Sequence, residues 1–120
     1  MIYKPTNFTH LGNLASSDVN VLKSKGLSYG DSWRARGGVG AFMMLARKWD
    51  RIENQAKQVN YDIFSACYKT AEEPEGLLDD IADLRRYLLL VEEHVRAHYG
   101  HVGSVAGAEG EPDRRYVNQD

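Results

Sequence analysis

The sequence predicts an all-α fold, a bundle of about four helices with an irregular N-terminal lead-in and an extended C-terminal tail. Apolar residues recur at helical spacing through two long segments, and no run alternates apolar with polar as a half-buried strand would. Gly26, Pro74 and Gly100 fall where the periodic runs stop, which is where helix-ending residues belong.

Met1 to Gly12 has no clean period and contains Pro5, so it reads as extended chain. Ser16 and Ser17 are good N-caps for a short helix from Asp18 to Lys25, which Gly26 closes in the left-handed conformation. From about Gly40, Phe42, Met43, Leu45, Ala46, Trp49, Ile52, Ala56 and Val59 recur at helical spacing, giving a long amphipathic helix that ends near Gln58. Tyr61 to Thr70 is a second apolar-rich segment expected to be helical, and Pro74 in EEPEG breaks the pattern. Another long helix follows from about Glu75 to Tyr99, with Leu77, Leu78, Ile81, Leu84, Leu88 and Val91, joined by Val95, as its expected buried stripe. Trp49, Ile52, Leu84 and Leu88 are the expected core. After His101 the chain turns to Gly, Ala, Glu, Pro, Asp and Arg, an extended arm or one that orders on a partner. The implied organisation is one helical domain over residues 1–100 and a tail over 101–120.

Composition narrows the function classes. The formal net charge is -2, so the basic excess of a strong nucleic-acid binder is missing. The single cysteine, Cys67, excludes an intramolecular disulfide and a cysteine-based zinc site, and it reads as a small core residue. No apolar run reaches the length of a membrane span, and a soluble, cytoplasmic protein is expected. The charge is nonetheless segregated. Residues 23–51 carry Lys23, Lys25, Arg34, Arg36, Arg47, Lys48 and Arg51 against Asp31 and Asp50, while residues 72–93 are dominated by acids. Two solvated helix faces would produce that pattern. So would a metal held by carboxylates beside cations that hold a phosphorylated ligand.

The spacing of the acids sharpens the second reading. WDRIEN places Asp50 and Glu53 three residues apart on the first long helix, and LLDDIADL places Asp80 and Asp83 likewise on the second. Antiparallel packing would let the pairs converge. Converging carboxylates repel unless a divalent cation sits between them, and all-oxygen ligands suit Mg²⁺ or Mn²⁺. On that premise an amide at Asp83 is expected to raise stability in metal-free buffer. Surface pairing with Arg51, Arg85 and Arg86 is the plainer alternative. His94 and His98 stand four apart with no third ligand nearby, as a solvated helix end would.

The segment SYGDSWRARGGVG, residues 28–40, is too glycine-rich for core yet holds two large aromatics and two cations. Tyr29 and Trp33 offer flat faces for a nucleobase, and Asp31 an acceptor for a base amine or ribose hydroxyl. Arg34 and Arg36 can fork onto phosphate oxygens, and the glycines lead into a helix N-terminus that favours anions. Arg47, Lys48 and Arg51 supply further cations on the same helix as Asp50 and Glu53. Packing of Tyr29 and Trp33 onto the bundle, with Asp31 and Ser32 in a turn, is the alternative for this loop.

The order K-x-K-G-x-x-YGDSW, then RKWDRIE, then EGLLDDIADLRRYLLL, resembles the phage and bacterial nucleotide-modification-associated domains. These are compact helical relatives of the MazG-like, all-α nucleoside triphosphate pyrophosphohydrolases. The similarity runs from about Lys23 to Val91. It implies Mg²⁺ (or Mn²⁺) bound by an acidic pair on each of two helices, here Asp50 with Glu53 and Asp80 with Asp83, an Asp replacing the family's first Glu in both. It further implies cleavage of a (deoxy)nucleoside triphosphate between its α and β phosphates, with Glu53 or Asp83 as the base, and assembly as a homo-oligomer. A nucleotide-sequestering or sensing protein without turnover, and a structural interaction module, are the competing functions.

Overall fold

The computed structural model describes residues 3–29 and 31–99, with only the backbone of residues 26–29. It is all-helical: among the described residues there are four α-helices, one 3₁₀ turn and no strand. The helices are α1 (Phe8–Tyr29), α2 (Gly37–Lys57), α3 (Ile63–Thr70) and α4 (Leu77–His98), with the 3₁₀ turn at Ser32–Arg34. No helix among the described residues is long and apolar enough to cross a membrane. The expected tail, 101–120, lies outside the described residues.

Helix α1 corrects the sequence reading. It begins at Phe8, ten residues before the expected start at Asp18, and it runs through Gly26 to Tyr29. Asn7 is the physical reason for the early start. Its side-chain oxygen accepts from the His10 amide at 3.0 Å, and its carbonyl oxygen accepts from the Leu11 amide at 3.0 Å. That is an N-cap followed by the first helical turn. The lead-in is therefore short.

Helix α2 is entered through Gly37, whose φ of 75° lies in the left-handed region that glycine adopts without a Cβ penalty. Its core-facing stripe is Ala41, Ile52 and Ala56. Beyond its end, Asn60 and Tyr61 both take positive φ, and the Tyr61 amide donates back to the Ala56 carbonyl at 2.7 Å, which turns the chain sharply. Asp62 then caps α3, one carboxylate oxygen accepting from the Phe64 and Ser65 amides at 3.1 Å each. Those bonds, that from Ser65 above all, hold its carboxyl below the ordinary range.

Thr70 joins α3 to α4. Its hydroxyl donates to the Ala66 carbonyl at 3.2 Å and accepts from the Leu77 amide at 3.0 Å, so one buried side chain closes α3 and caps α4. The approach is so close at Gly76 that a Cβ there would lie 2.4 Å from the Thr70 carbonyl oxygen. Only glycine fits. The residues that meet around this junction, Ile52, Ala66 and Leu77, are the apolar core, with Val59, Cys67, Ile81 and Leu84 packed against them. Burial pushes the Cys67 thiol up, as befits a packing residue.

Ile52 and Leu84 are thus where the sequence puts them, but Trp49 and Leu88 are not. Trp49 is 53% exposed and Leu88 49% exposed, and Leu78 is exposed as well. On α2 the apolar residues span too wide an arc for all to face α3 and α4, and the small stripe through Ala41, Ile52 and Ala56 takes the inner side. The chain divides into two compact units, one ending at Arg86 and the other starting at Tyr87. Helix α2, helix α3, the core and the first half of α4 belong to the first unit. In the second, the His94 and His98 rings stack at 4.2 Å, His98 Nδ1 donates to the His94 carbonyl at 2.8 Å, and Arg96 pairs with Glu92 at 2.8 Å.

Candidate functional site

The site is built where α1, α2 and the first half of α4 exchange charges. Arg51 donates through Nε to Asp80 at 2.7 Å, and Lys48 Nζ reaches Asp83 at 3.0 Å. A step of three back along α2 matches a step of three forward along α4, so the two helices run antiparallel with Lys48 and Arg51 facing the acidic pair. Asp80 is buried and Asp83 half-buried. The RKWDRIE and LLDDIADL segments meet through these cations, but the expected convergence of Asp50 and Glu53 with Asp80 and Asp83 is not seen.

The partners of the carboxylates are cations. Asp83 is faced by Lys48, by Lys25 at 3.7 Å and by Arg86 at 3.5 Å. Glu53 pairs loosely with Lys57 at 3.7 Å, and Asp50 is exposed. By helical spacing Asp50 and Glu53 project away from the side of α2 that carries Lys48 and Arg51. Among the described residues no group of three or more His, Cys, Asp or Glu side chains is placed to hold a metal ion. Asp80 and Asp83 have the all-oxygen chemistry that Mg²⁺ or Mn²⁺ takes, but both are engaged by cations. One consequence reverses an expectation. Asp83 relieves repulsion among cations instead of suffering it from carboxylates, so Asp83→Asn is expected to lower the melting temperature in metal-free buffer, read by circular dichroism.

The most heavily engaged carboxylate is one the sequence did not single out. Asp18, in the middle of α1, is completely buried. Arg85 grips both of its oxygens, through Nε and through Nη2 at 2.7 Å, and Arg86 Nε adds a third bond at 3.0 Å. The Arg85 hydrogen bond is the main cause that holds the Asp18 carboxyl below its ordinary range, and it raises Arg85 in return. The Arg85–Arg86 doublet was the only trace of this cluster in the sequence.

The glycine-rich loop keeps its charged and aromatic character. Arg34 pairs with Asp31 at 2.9 Å, and its guanidinium carbon lies 5.6 Å from the Trp33 ring centroid, a cation–π arrangement. Trp33 and Arg34 are half-buried, while Arg36 and Arg47 are exposed. Arg36 occupies the position just before α2, whose first turn receives no side-chain cap. The Tyr29 side chain lies outside the described residues.

Comparison of the chain with protein-family models, with curated proteins and with solved structures gave no match.

Proposed function

We propose that this protein is a MazG-like, metal-dependent nucleotide-processing protein that cleaves a (deoxy)nucleoside triphosphate to a monophosphate and pyrophosphate. The observation that carries the reading is the pair of rungs Arg51–Asp80 and Lys48–Asp83, which set cations for phosphate directly against carboxylates for a metal. Asp80 and Asp83, on the side of α4 that faces Lys48 and Arg51, would hold Mg²⁺ or Mn²⁺. The ion, when bound, neutralises phosphate charge and acidifies a water. Asp83 takes the proton of the attacking water, and Lys48, Arg51 and Arg47 orient the phosphate chain. Trp33 stacks on the base with Tyr29, Asp31 accepts from base or sugar, and Arg34 and Arg36 close on the phosphates.

Incubation with a panel of nucleotides and Mg²⁺ or Mn²⁺, followed by separation of the products, tests the proposal. Pyrophosphate and a monophosphate are the expected products. Trp33→Ala is expected to weaken nucleotide binding by about 1–3 kcal/mol, the usual scale of a lost base stack. Intact nucleotide retained by the protein would favour the sequestering or sensing function, which the engagement of Asp80 and Asp83 by cations supports. No binding at all would sink both.

The reading includes a homo-oligomer. Phe8, Leu11 and Val19 follow one another at helical spacing along α1 and are 78%, 49% and 48% exposed. An apolar stripe so open to water is the kind of surface a second copy covers. Light scattering at micromolar concentration should return at least twice the mass of the 13.5 kDa chain. A monomer there would remove this part of the proposal.

A further inference from the structure

We propose that Lys25, Lys48 and Arg86 form a polyphosphate-binding site in which Asp83 is the resident counter-charge, displaced when the ligand arrives. The proposal deepens the nucleotide-processing reading and rests on it for the identity of the natural ligand.

Three helices contribute one cation each to a single carboxylate: Lys25 from α1 at 3.7 Å, Lys48 from α2 at 3.0 Å and Arg86 from α4 at 3.5 Å. Arg86 is held in place from behind, because its Nε is bonded to the buried Asp18 while Nη1 points to Asp83. Arg85 completes the group on Asp18. Among these ion pairs, four cations (Lys25, Lys48, Arg85 and Arg86) meet two carboxylates (Asp18 and Asp83), leaving a surplus of two positive charges. Arg51 and Asp80 beside them cancel each other.

That surplus is not spread over open surface. The Lys48 and Arg86 side chains are only 19% and 18% exposed, so water screens their mutual repulsion incompletely. A ligand with several anionic oxygens relieves it better than one carboxylate can. Lys25 is 53% exposed and its contact is long, so it is the arm with freedom to swing onto such a ligand. An extended, multiply charged anion matches cations arriving from three directions, which is the shape of a polyphosphate chain. Once the lysines turn to phosphate, Asp83 is freed for a metal ion, so anion and metal assist each other.

The test is isothermal titration of the full chain with inorganic tripolyphosphate in EDTA, where no divalent ion can bridge the two. Lys25→Ala and Lys48→Ala should each weaken binding about tenfold, the scale of one lost charge-assisted hydrogen bond. Asp83→Asn should tighten it about tenfold, because the competing carboxylate is gone. Lys57→Ala, a lysine outside the cluster, should change nothing. Lys25 is exposed and its loss leaves the fold intact, so unchanged affinity in Lys25→Ala would overturn the proposal. So would equal or weaker binding in Asp83→Asn that retains its helical circular dichroism.

Parallel titrations with a nucleoside triphosphate and its nucleoside distinguish a nucleotide tail from free polyphosphate. Triphosphate bound more tightly than tripolyphosphate, with the same response to the variants, supports the nucleotide as ligand. Equal affinity for the two, with the variants behaving as described, supports the site for polyphosphate itself. Tripolyphosphate bound in this way without nucleotide hydrolysis leaves the site standing and removes the enzymatic reading. Hydrolysis with no response of tripolyphosphate binding to Lys25 or Asp83 does the reverse.

Discussion

Asp18→Asn is expected to destabilise the protein by about 3 kcal/mol, measured as a lower midpoint in urea unfolding followed by circular dichroism. Breaking a buried ion pair by removing one partner costs about 3–5 kcal/mol, since the charge left behind has lost its counter-ion. Here the carboxylate is fully buried but Arg85 is 37% exposed, and water compensates part of the loss. The lower end of the range follows. The same carboxylate gives the protein an acid sensitivity with a definite sign. Its folded-state pKa lies below the ordinary value of 3.8, so the unfolded chain binds the proton more readily than the folded one. The stabilisation is complete above the unfolded-state value and is lost as pH falls through the folded-state value. Asp18→Asn should therefore flatten the acid limb of a stability-against-pH curve. An unchanged limb together with an unchanged urea midpoint would mean that Asp18 does not anchor α1.

Leu77→Ala is expected to cost about 2–5 kcal/mol, the range for emptying a fully buried leucine site. Leu77 is 1% exposed and touches the small core with Ile52 and Ala66, so few neighbours can collapse into the space. In a domain of this size that is a fall in Tm of roughly 10 °C or more. Leu78 is the control beside it. It is 57% exposed, and its replacement by alanine should stay within about 0.5 kcal/mol of the parent. Similar losses for the two variants, read by calorimetry, would contradict the assignment of the core.

The contrast between these neighbouring leucines marks the limit of what periodicity can say. The 3.6-residue pattern located α2 and α4 and put Ile52 and Leu84 in the core, because long amphipathic segments repeat their signal several times. It did not tell which side of a broad apolar arc faces inward, and so misplaced Trp49 and Leu88. The start of α1 was hidden by Gly12 and Asn13, weak helix formers that lengthen the apparent loop, while the signal that matters is one cap, Asn7. Asp50, Glu53, Asp80 and Asp83 were readable as pairs, since spacing within a helix is local. That Asp80 and Asp83 meet Arg51 and Lys48 was half readable, from the segregation of charge. That Asp18 meets Arg85 and Arg86, 67 and 68 residues away, was not. Nothing local distinguishes a buried aspartate in mid-helix from a solvated one.

The ionic ties of α1 also bear on how the protein responds to heat and to salt. Asp18 and Lys25 tie the first helix to α4 through charges, whereas α2, α3 and α4 share an apolar core beside the Lys48 and Arg51 rungs. Stripping water from a charge becomes less costly as temperature rises, while apolar burial gains little more per unit of area. On warming, the seam of α1 holds relatively better than the core does. Added electrolyte acts the other way, reaching the open Lys25 rung first and the sealed Asp18 contact last. Salt therefore weakens the end of the first helix that carries Lys25 before it weakens the middle, where Asp18 holds it to α4.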